Sequence, residues 1–132
     1  MSIKQSKASL ILFIGVGGAF GACSRYLVSL LTSSSDGGFP FTTLLVNLIG
    51  CFSLAYIANS NQIRNIIPAP ILTVICTGFI GSFTTFSAFS VETVQLFNHG
   101  IGLALIYIIL QLFGGILFCL AGYQLSINKG GV

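Results

Sequence analysis

Three groups of side chains in this 132-residue sequence could do chemistry, and all three sit inside apolar surroundings. Asn47 lies in the middle of Leu44-Leu45-Val46-Asn47-Leu48-Ile49-Gly50. A carboxamide there either glues helices together through a hydrogen bond or serves a polar path. The segment Thr77-Gly78-Phe79-Ile80-Gly81-Ser82-Phe83-Thr84-Thr85-Phe86-Ser87-Ala88-Phe89-Ser90 combines two glycines with closely spaced hydroxyls. That composition makes a poor continuous helix, and a helix broken inside a membrane exposes carbonyl oxygens to cations and amide groups to anions. Phe83, Phe86 and Phe89 recur every third residue, so a helix would place them on one face. As packing residues they form a plain aromatic stripe. As path residues, their positive ring edges suit a small anion, with Ser87 and its neighbours as hydroxyl donors. Glu92, a turn beyond Phe89, is the third group. Its plain structural partner is Arg25; functionally it accepts or relays hydrogen bonds along a polar track.

The elements that position these groups are dictated by composition. Charged residues make up 5% of the chain and the mean hydropathy is +1.01, against about 25% charged in ordinary soluble domains. Seven charged side chains cannot cover a water-facing surface, so hydrocarbon must do the solvating. No side chain between Asp36 and Arg64, or between Arg64 and Glu92, carries a charge. A bilayer crossing needs about 20 apolar residues in a helix. The pattern predicts helices over about 8–32, 40–60, 68–98 and 101–126, in a single four-helix transmembrane domain covering 1–132. The separators are Ser33 to Gly38, Asn59 to Asn65 followed by Pro68 and Pro70, and Asn98-His99-Gly100; all carry turn chemistry. The expected site is a multi-pass cell-membrane protein, with the first apolar segment retained as a span.

Small residues at helical spacing, Gly17 with Gly21, Gly18 with Ala22 and Gly115 with Cys119, predict close helix contacts. Cys23, Cys51, Cys76 and Cys119 fall one in each apolar stretch and read as small packing residues, not as a disulfide framework or a metal site. Gly15-Val16-Gly17-Gly18 is no nucleotide fingerprint, because Phe20 occupies the third glycine position. The scattered basic residues form no nucleic-acid stripe. An enzyme is not expected: no nucleophile–base pair stands out. Lys4, Lys7, Arg64 and Lys129 share one side of a four-span layout and face only Arg25 on the other, so the positive-inside rule places both termini in the cytoplasm. Four helices also enclose no wide polar path, so a partner subunit is expected, a two-fold dimer being the default.

Three stretches in order resemble the signatures of the Fluc (CrcB-type) fluoride channels: Gly18-Ala19-Phe20-Gly21-Ala22-Cys23-Ser24-Arg25-Tyr26, Thr43-Leu44-Leu45-Val46-Asn47-Leu48-Ile49-Gly50-Cys51-Phe52, and Gly78-Phe79-Ile80-Gly81-Ser82-Phe83-Thr84-Thr85-Phe86-Ser87-Ala88-Phe89-Ser90-Val91-Glu92. The resemblance spans essentially the whole chain. It implies an all-α membrane protein with a break in the third helix, an antiparallel dual-topology dimer, and passive fluoride conduction that protects the cell. It also implies roles: Phe86 and Phe89 contact fluoride, Asn47 orients or coordinates it, Arg25 sits in the vestibule, and Glu92 and Tyr107 belong to the polar track. Gly81 and Thr84 would offer backbone carbonyls to a structural Na+ at the dimer interface, and Phe83 is packing. The chain departs from that pattern twice. Gln111 stands where the family usually has a hydroxyl, and the Lys/Arg bias favours one orientation, which suggests pairing with an inverted homologous subunit, while the presence of Asn47, Phe86 and Phe89 together favours the homodimer. The alternatives are a small proton-coupled exporter of cationic compounds using Glu92 and a non-conducting packing or regulatory subunit.

Overall fold

The computed structural model describes residues 7–32 and 38–128. Lys4, Lys129, Asp36 and the rest of the first separator through residue 37 lie outside the described residues. The described residues are helical almost throughout: α1 (Lys7–Thr32), α2 (Phe41–Asn59), α3 (Asn61–Ile66), α4 (Ala69–Thr73), a π-helical stretch (Val74–Ile80), α5 (Gly81–Phe83), α6 (Phe86–His99) and α7 (Ile101–Asn128). Four stretches are long and apolar enough to cross a membrane: Lys7–Thr32, Phe41–Asn59, Ala69–His99 and Ile101–Asn128. These match the four expected spans to within a residue or two. The third is bent and composite, as the two glycines and the hydroxyl run predict.

The second separator differs from expectation. Instead of a plain turn it carries the short helix α3. Buried Ser60 ends α2 through a 3.0 Å bond from its N–H to the Tyr56 carbonyl, and its side chain accepts from Ile63 N–H at 3.4 Å to start α3. A serine hydroxyl there satisfies one of the orphan amides of a helix start. Pro68 and Pro70 then open α4, at positions where a missing N–H costs nothing.

Packing is set by small residues, as expected where lipid is the solvent and contact area alone holds helices together. α1 lies along the π-helical stretch and α5, and α2 lies along α7. A methyl at Gly21 would run into the Phe79 carbonyl, and one at Gly78 would sit 2.6 Å from the Ile14 carbonyl oxygen, so backbones meet directly at both positions. Gly17 packs against Val74 and Gly18 against the Ser82 side chain. On the α2–α7 seam the close approach falls at Gly122, against the Phe52 carbonyl, and at Gly114, against Leu48. The expected Gly115–Cys119 pair is not the tight one: space for a methyl at Gly115 ends 3.6 Å from Cys51 Sγ, an ordinary contact, and Cys119 is exposed. The four cysteines are free thiols. Cys51 and Cys76 are partly buried packing residues, whereas Cys23 and Cys119 face outward. Of the best-buried side chains, Ala104 and Tyr107 pack with Leu96 between α6 and α7, while Val46 on α2 lies among residues of α1 and α6.

Candidate functional site

The site is built around the interruption of the third span. Thr84 (ψ 159°) and Thr85 (φ −149°, ψ 121°) are extended, so the helix stops at Phe83 and restarts at Phe86. Two adjacent β-branched residues favour this conformation. Thr85 then caps the new helix, its hydroxyl accepting Ala88 N–H at 3.2 Å and meeting Ser87 Oγ at 3.2 Å. The N-terminus of α6 therefore lies inside the span, with the partial positive charge of a helix start.

An extended peptide inside a membrane needs partners for its polar groups, and Asn47 on α2 supplies them. Its Oδ1 accepts Thr85 N–H at 2.8 Å and its Nδ2 donates to the Thr85 carbonyl at 3.0 Å. The structure thus makes Asn47 a clasp on the break as well as an interhelical bond. The same Nδ2 donates to Gln111 Oε1 at 3.3 Å. Gln111 Nε2 donates to Tyr107 Oη at 3.2 Å, and Tyr107 donates to Glu92 Oε2 at 2.6 Å. Thr43 donates to the other carboxylate oxygen at 2.7 Å. A hydrogen-bonded run therefore connects Thr85, Asn47, Gln111, Tyr107, Glu92 and Thr43 across α2, α6 and α7. It leads from the break toward the end of the bundle opposite α3.

Aromatic rings flank this run. Phe86 and Phe89 lie with ring centroids 5.7 Å apart at 58°, and Phe89 lies 5.4 Å from the Tyr107 ring. Phe39 meets Tyr107 edge-on at 5.4 Å. Phe89 is partly buried in this cluster, whereas Phe86 is 78% exposed. The three-residue phenylalanine stripe does not survive intact: Phe83 lies before the break and stacks on Phe79 at 6.1 Å, apart from the Phe86–Phe89 pair.

Two wider clefts open beside the run. One, of about 380 Å³, is lined by Arg25, Thr42, Thr43, Thr85 and Glu92 among others. The other, of about 250 Å³, is lined by Asn47, Gly50, Gly81, Thr84 and Phe86 among others. Arg25 does not pair with Glu92 as the plain structural reading expected. Its Nε donates to the Ser82 carbonyl at 3.3 Å, so the guanidinium answers a carbonyl freed by the break, while Glu92 takes two hydroxyls instead. Gly81 and Thr84 share the second cleft. The Thr84 hydroxyl turns back on the Ile80 carbonyl at 3.1 Å, and reaches the Gly81 carbonyl only at 3.5 Å.

Of the residues singled out in the sequence, Asn47, Glu92 and Tyr107 lie on the run, Arg25 and Phe86 line its clefts, Phe89 packs on the Tyr107 ring, and Ser87 meets the Thr85 hydroxyl beside it. Sequence reasoning missed Thr43, Thr85 and Gln111 as links. Thr43 stood inside a quoted signature, one helical turn before Asn47, and that four-residue spacing was the available signal.

The model of the family described as CrcB-like protein, Camphor Resistance (CrcB), matches residues 12–123. The chain is 45% identical over 125 residues to the fluoride-specific ion channel FluC 1 of Bacillus cereus, covering 93% of this chain and 87% of that protein. It is 45% identical over 123 residues to a fluoride-specific ion channel FluC 2 of Listeria monocytogenes, covering 90% and 94%. It is 37% identical over 123 residues to the fluoride-specific ion channel FluC of Prosthecochloris aestuarii, covering 92% and 96%. With its four apolar spans, the chain is a multi-pass membrane protein that belongs to the CrcB-like family.

Proposed function

We infer that this chain is one subunit of a fluoride-selective channel of the cell membrane, through which fluoride leaves passively and the cell is protected from its toxicity. The observation that carries the reading is the hydrogen-bonded run from the Thr85 peptide to Glu92, laid beside the Phe86–Phe89 pair. A small, strongly hydrated anion must exchange its water for other donors, yet be held weakly enough to leave. Thr43, Tyr107 and Ser87 supply hydroxyl donors. Glu92 keeps two of these hydroxyls turned inward, and an arriving anion can replace a carboxylate oxygen as their acceptor. Phe86 and Phe89 present ring edges without a fixed cation that would trap the ion. Asn47 orients the path by clasping Thr85 and thereby fixing where Phe86 begins. Arg25, lining the wider cleft, raises the local anion concentration at the vestibule. No bond is made or broken in this scheme, so the chain is a conduit and not an enzyme.

The reading needs a second subunit. Phe86 is 78% exposed in the middle of a membrane span, so a single chain forms one wall of the path. An antiparallel copy with dual topology would supply the other wall. The Lys/Arg bias supports the variant in which an inverted homologous subunit does so. Orientation reporters in cells expressing only this chain decide between the two: both orientations support the homodimer, one alone supports the pair. At the same interface, a structural Na+ fits the donor set. Gly81, whose carbonyl takes only a 3.5 Å bond from the Thr84 hydroxyl, and Thr84 line the same cleft at the break, and hard oxygen donors suit a hard cation. Gly81 and Thr84 would hold it, and the ion would tie two breaks together electrostatically.

Substitution of Phe86 tests the reading against the exporter alternative. A channel loses fluoride flux in Phe86→Ala, whereas a proton-coupled exporter of cationic compounds loses transport chiefly in Glu92→Gln. A Phe86→Ala variant with unaltered fluoride flux would overturn the path assignment.

A further inference from the structure

Among the described residues, Gln111 is the one that joins the two halves of the hydrogen-bonded run. On one side Asn47 holds the Thr85 peptide; on the other, Tyr107 and Thr43 hold Glu92. Among the described residues only the Gln111 amide spans the gap, accepting from Asn47 at 3.3 Å and donating to Tyr107 at 3.2 Å. Its donor and acceptor sit on different atoms at the end of a two-carbon stem. A hydroxyl at this position would sit on the β-carbon, carry one proton, and fall short of both neighbours at once. The Gln111 oxygen also fixes the hand of Asn47. An Asn47 amide turned over would point its own oxygen at Gln111 Oε1 and at the Thr85 carbonyl and release Thr85 N–H, three losses from one flip.

We propose that Gln111 is a positioning residue of the conducting path: it locks the Asn47 amide onto the helix break and ties that break, through Tyr107, to the Glu92 carboxylate. This inference rests on the fluoride-channel reading of the site. Its consequence is coupling. Because the links are in series, loss of either Gln111 or Tyr107 Oη disconnects the same two halves, and the two losses do not compound.

The test uses the purified full chain and the variants Gln111→Met, which keeps length and removes both hydrogen-bonding atoms, Tyr107→Phe, and the double variant. Fluoride efflux from liposomes is read for each. In the same proteins, labelled with nitrogen-15 in detergent, the side-chain amide resonances of Asn47 are followed. Each single variant is expected to slow fluoride efflux by about fivefold, the size one neutral hydrogen bond carries, and the double variant by no more than the slower single one. The Asn47 side-chain resonances are expected to move in Gln111→Met and also in Tyr107→Phe, which does not touch Asn47. Multiplying losses in the double variant, or Asn47 resonances that stay put in Gln111→Met, would overturn the proposal. If wild-type protein alone releases no fluoride, the path needs the inverted homologous subunit, and the resonances then decide whether the bridge positions Asn47: movement supports it and its absence overturns it. If Gln111→Met does not fold, Tyr107→Phe read at Asn47 decides: movement supports the bridge and its absence overturns it.

Discussion

Replacement of Asn47 by alanine removes three hydrogen bonds: two to the Thr85 peptide at 2.8 and 3.0 Å, and one to Gln111 at 3.3 Å. The Thr85 N–H and carbonyl are then left inside a membrane span without their partner. An orphaned polar group costs about 1–3 kcal/mol in a buried site, but bonds between membrane helices average only about 0.6 kcal/mol with a ceiling near about 1.7. Two orphaned groups and one lost link therefore destabilise the folded chain by about 2 kcal/mol. That free energy is a factor of about thirty in the ratio of intact to released break, and Phe86 is placed by that break. Fluoride efflux is accordingly expected to fall by about tenfold or more. Asn47→Asp keeps an acceptor for Thr85 N–H but turns its second oxygen onto the Thr85 carbonyl and Gln111 Oε1, so it should be no more stable than Asn47→Ala. The assay pairs thermal unfolding in detergent with efflux from liposomes. An Asn47→Ala protein as stable and as conductive as wild type would refute the clasp.

Three further outcomes follow from the packing and the proposed ion. Phe86→Ala should abolish fluoride flux at little cost in stability of the isolated chain, since the ring is largely exposed, whereas Phe89→Ala, which forfeits the Phe86 and Tyr107 ring contacts, should also cost about 1–2 kcal/mol in thermal unfolding. Gly122→Ala should lower stability by about 1–3 kcal/mol because its methyl meets the Phe52 backbone, while Gly115→Ala, meeting Cys51 Sγ at 3.6 Å, should leave unfolding nearly unchanged. Replacing sodium by choline throughout reconstitution and assay should reduce fluoride flux without unfolding the chain, and equal flux in both salts would remove the structural ion from the account.

The spans were legible because hydropathy is a property of whole segments: uncharged stretches flanked by Arg64 and Glu92 leave few other structures possible in lipid. The break was legible because Gly78, Gly81 and the Thr84–Thr85 pair all oppose a regular helix locally. Asn47, Glu92 and Tyr107 stood out because polar groups in apolar runs are conspicuous one at a time. What each one touches was not legible. Arg25 and Glu92 are opposite charges that sequence alone pairs, yet the freed Ser82 carbonyl claims the first and two hydroxyls claim the second. Gln111 looked like a departure from a family pattern because its role depends on the approach of α2 to α7, which no local signal encodes. The Gly122 contact was hidden for the same reason: small-residue spacing names candidates, and only helix crossing selects among them. The helix α3 was missed although its signal was present, a serine placed to cap the amide of Ile63.

The most direct measurement is fluoride release from liposomes reconstituted with this chain alone, down a fluoride gradient with no proton gradient imposed, with chloride release as the control. The account predicts rapid fluoride release from wild-type protein, negligible chloride release, and loss of the fluoride signal in Phe86→Ala. Chloride leaving as fast as fluoride, or fluoride release that depends on an imposed proton gradient, would contradict it.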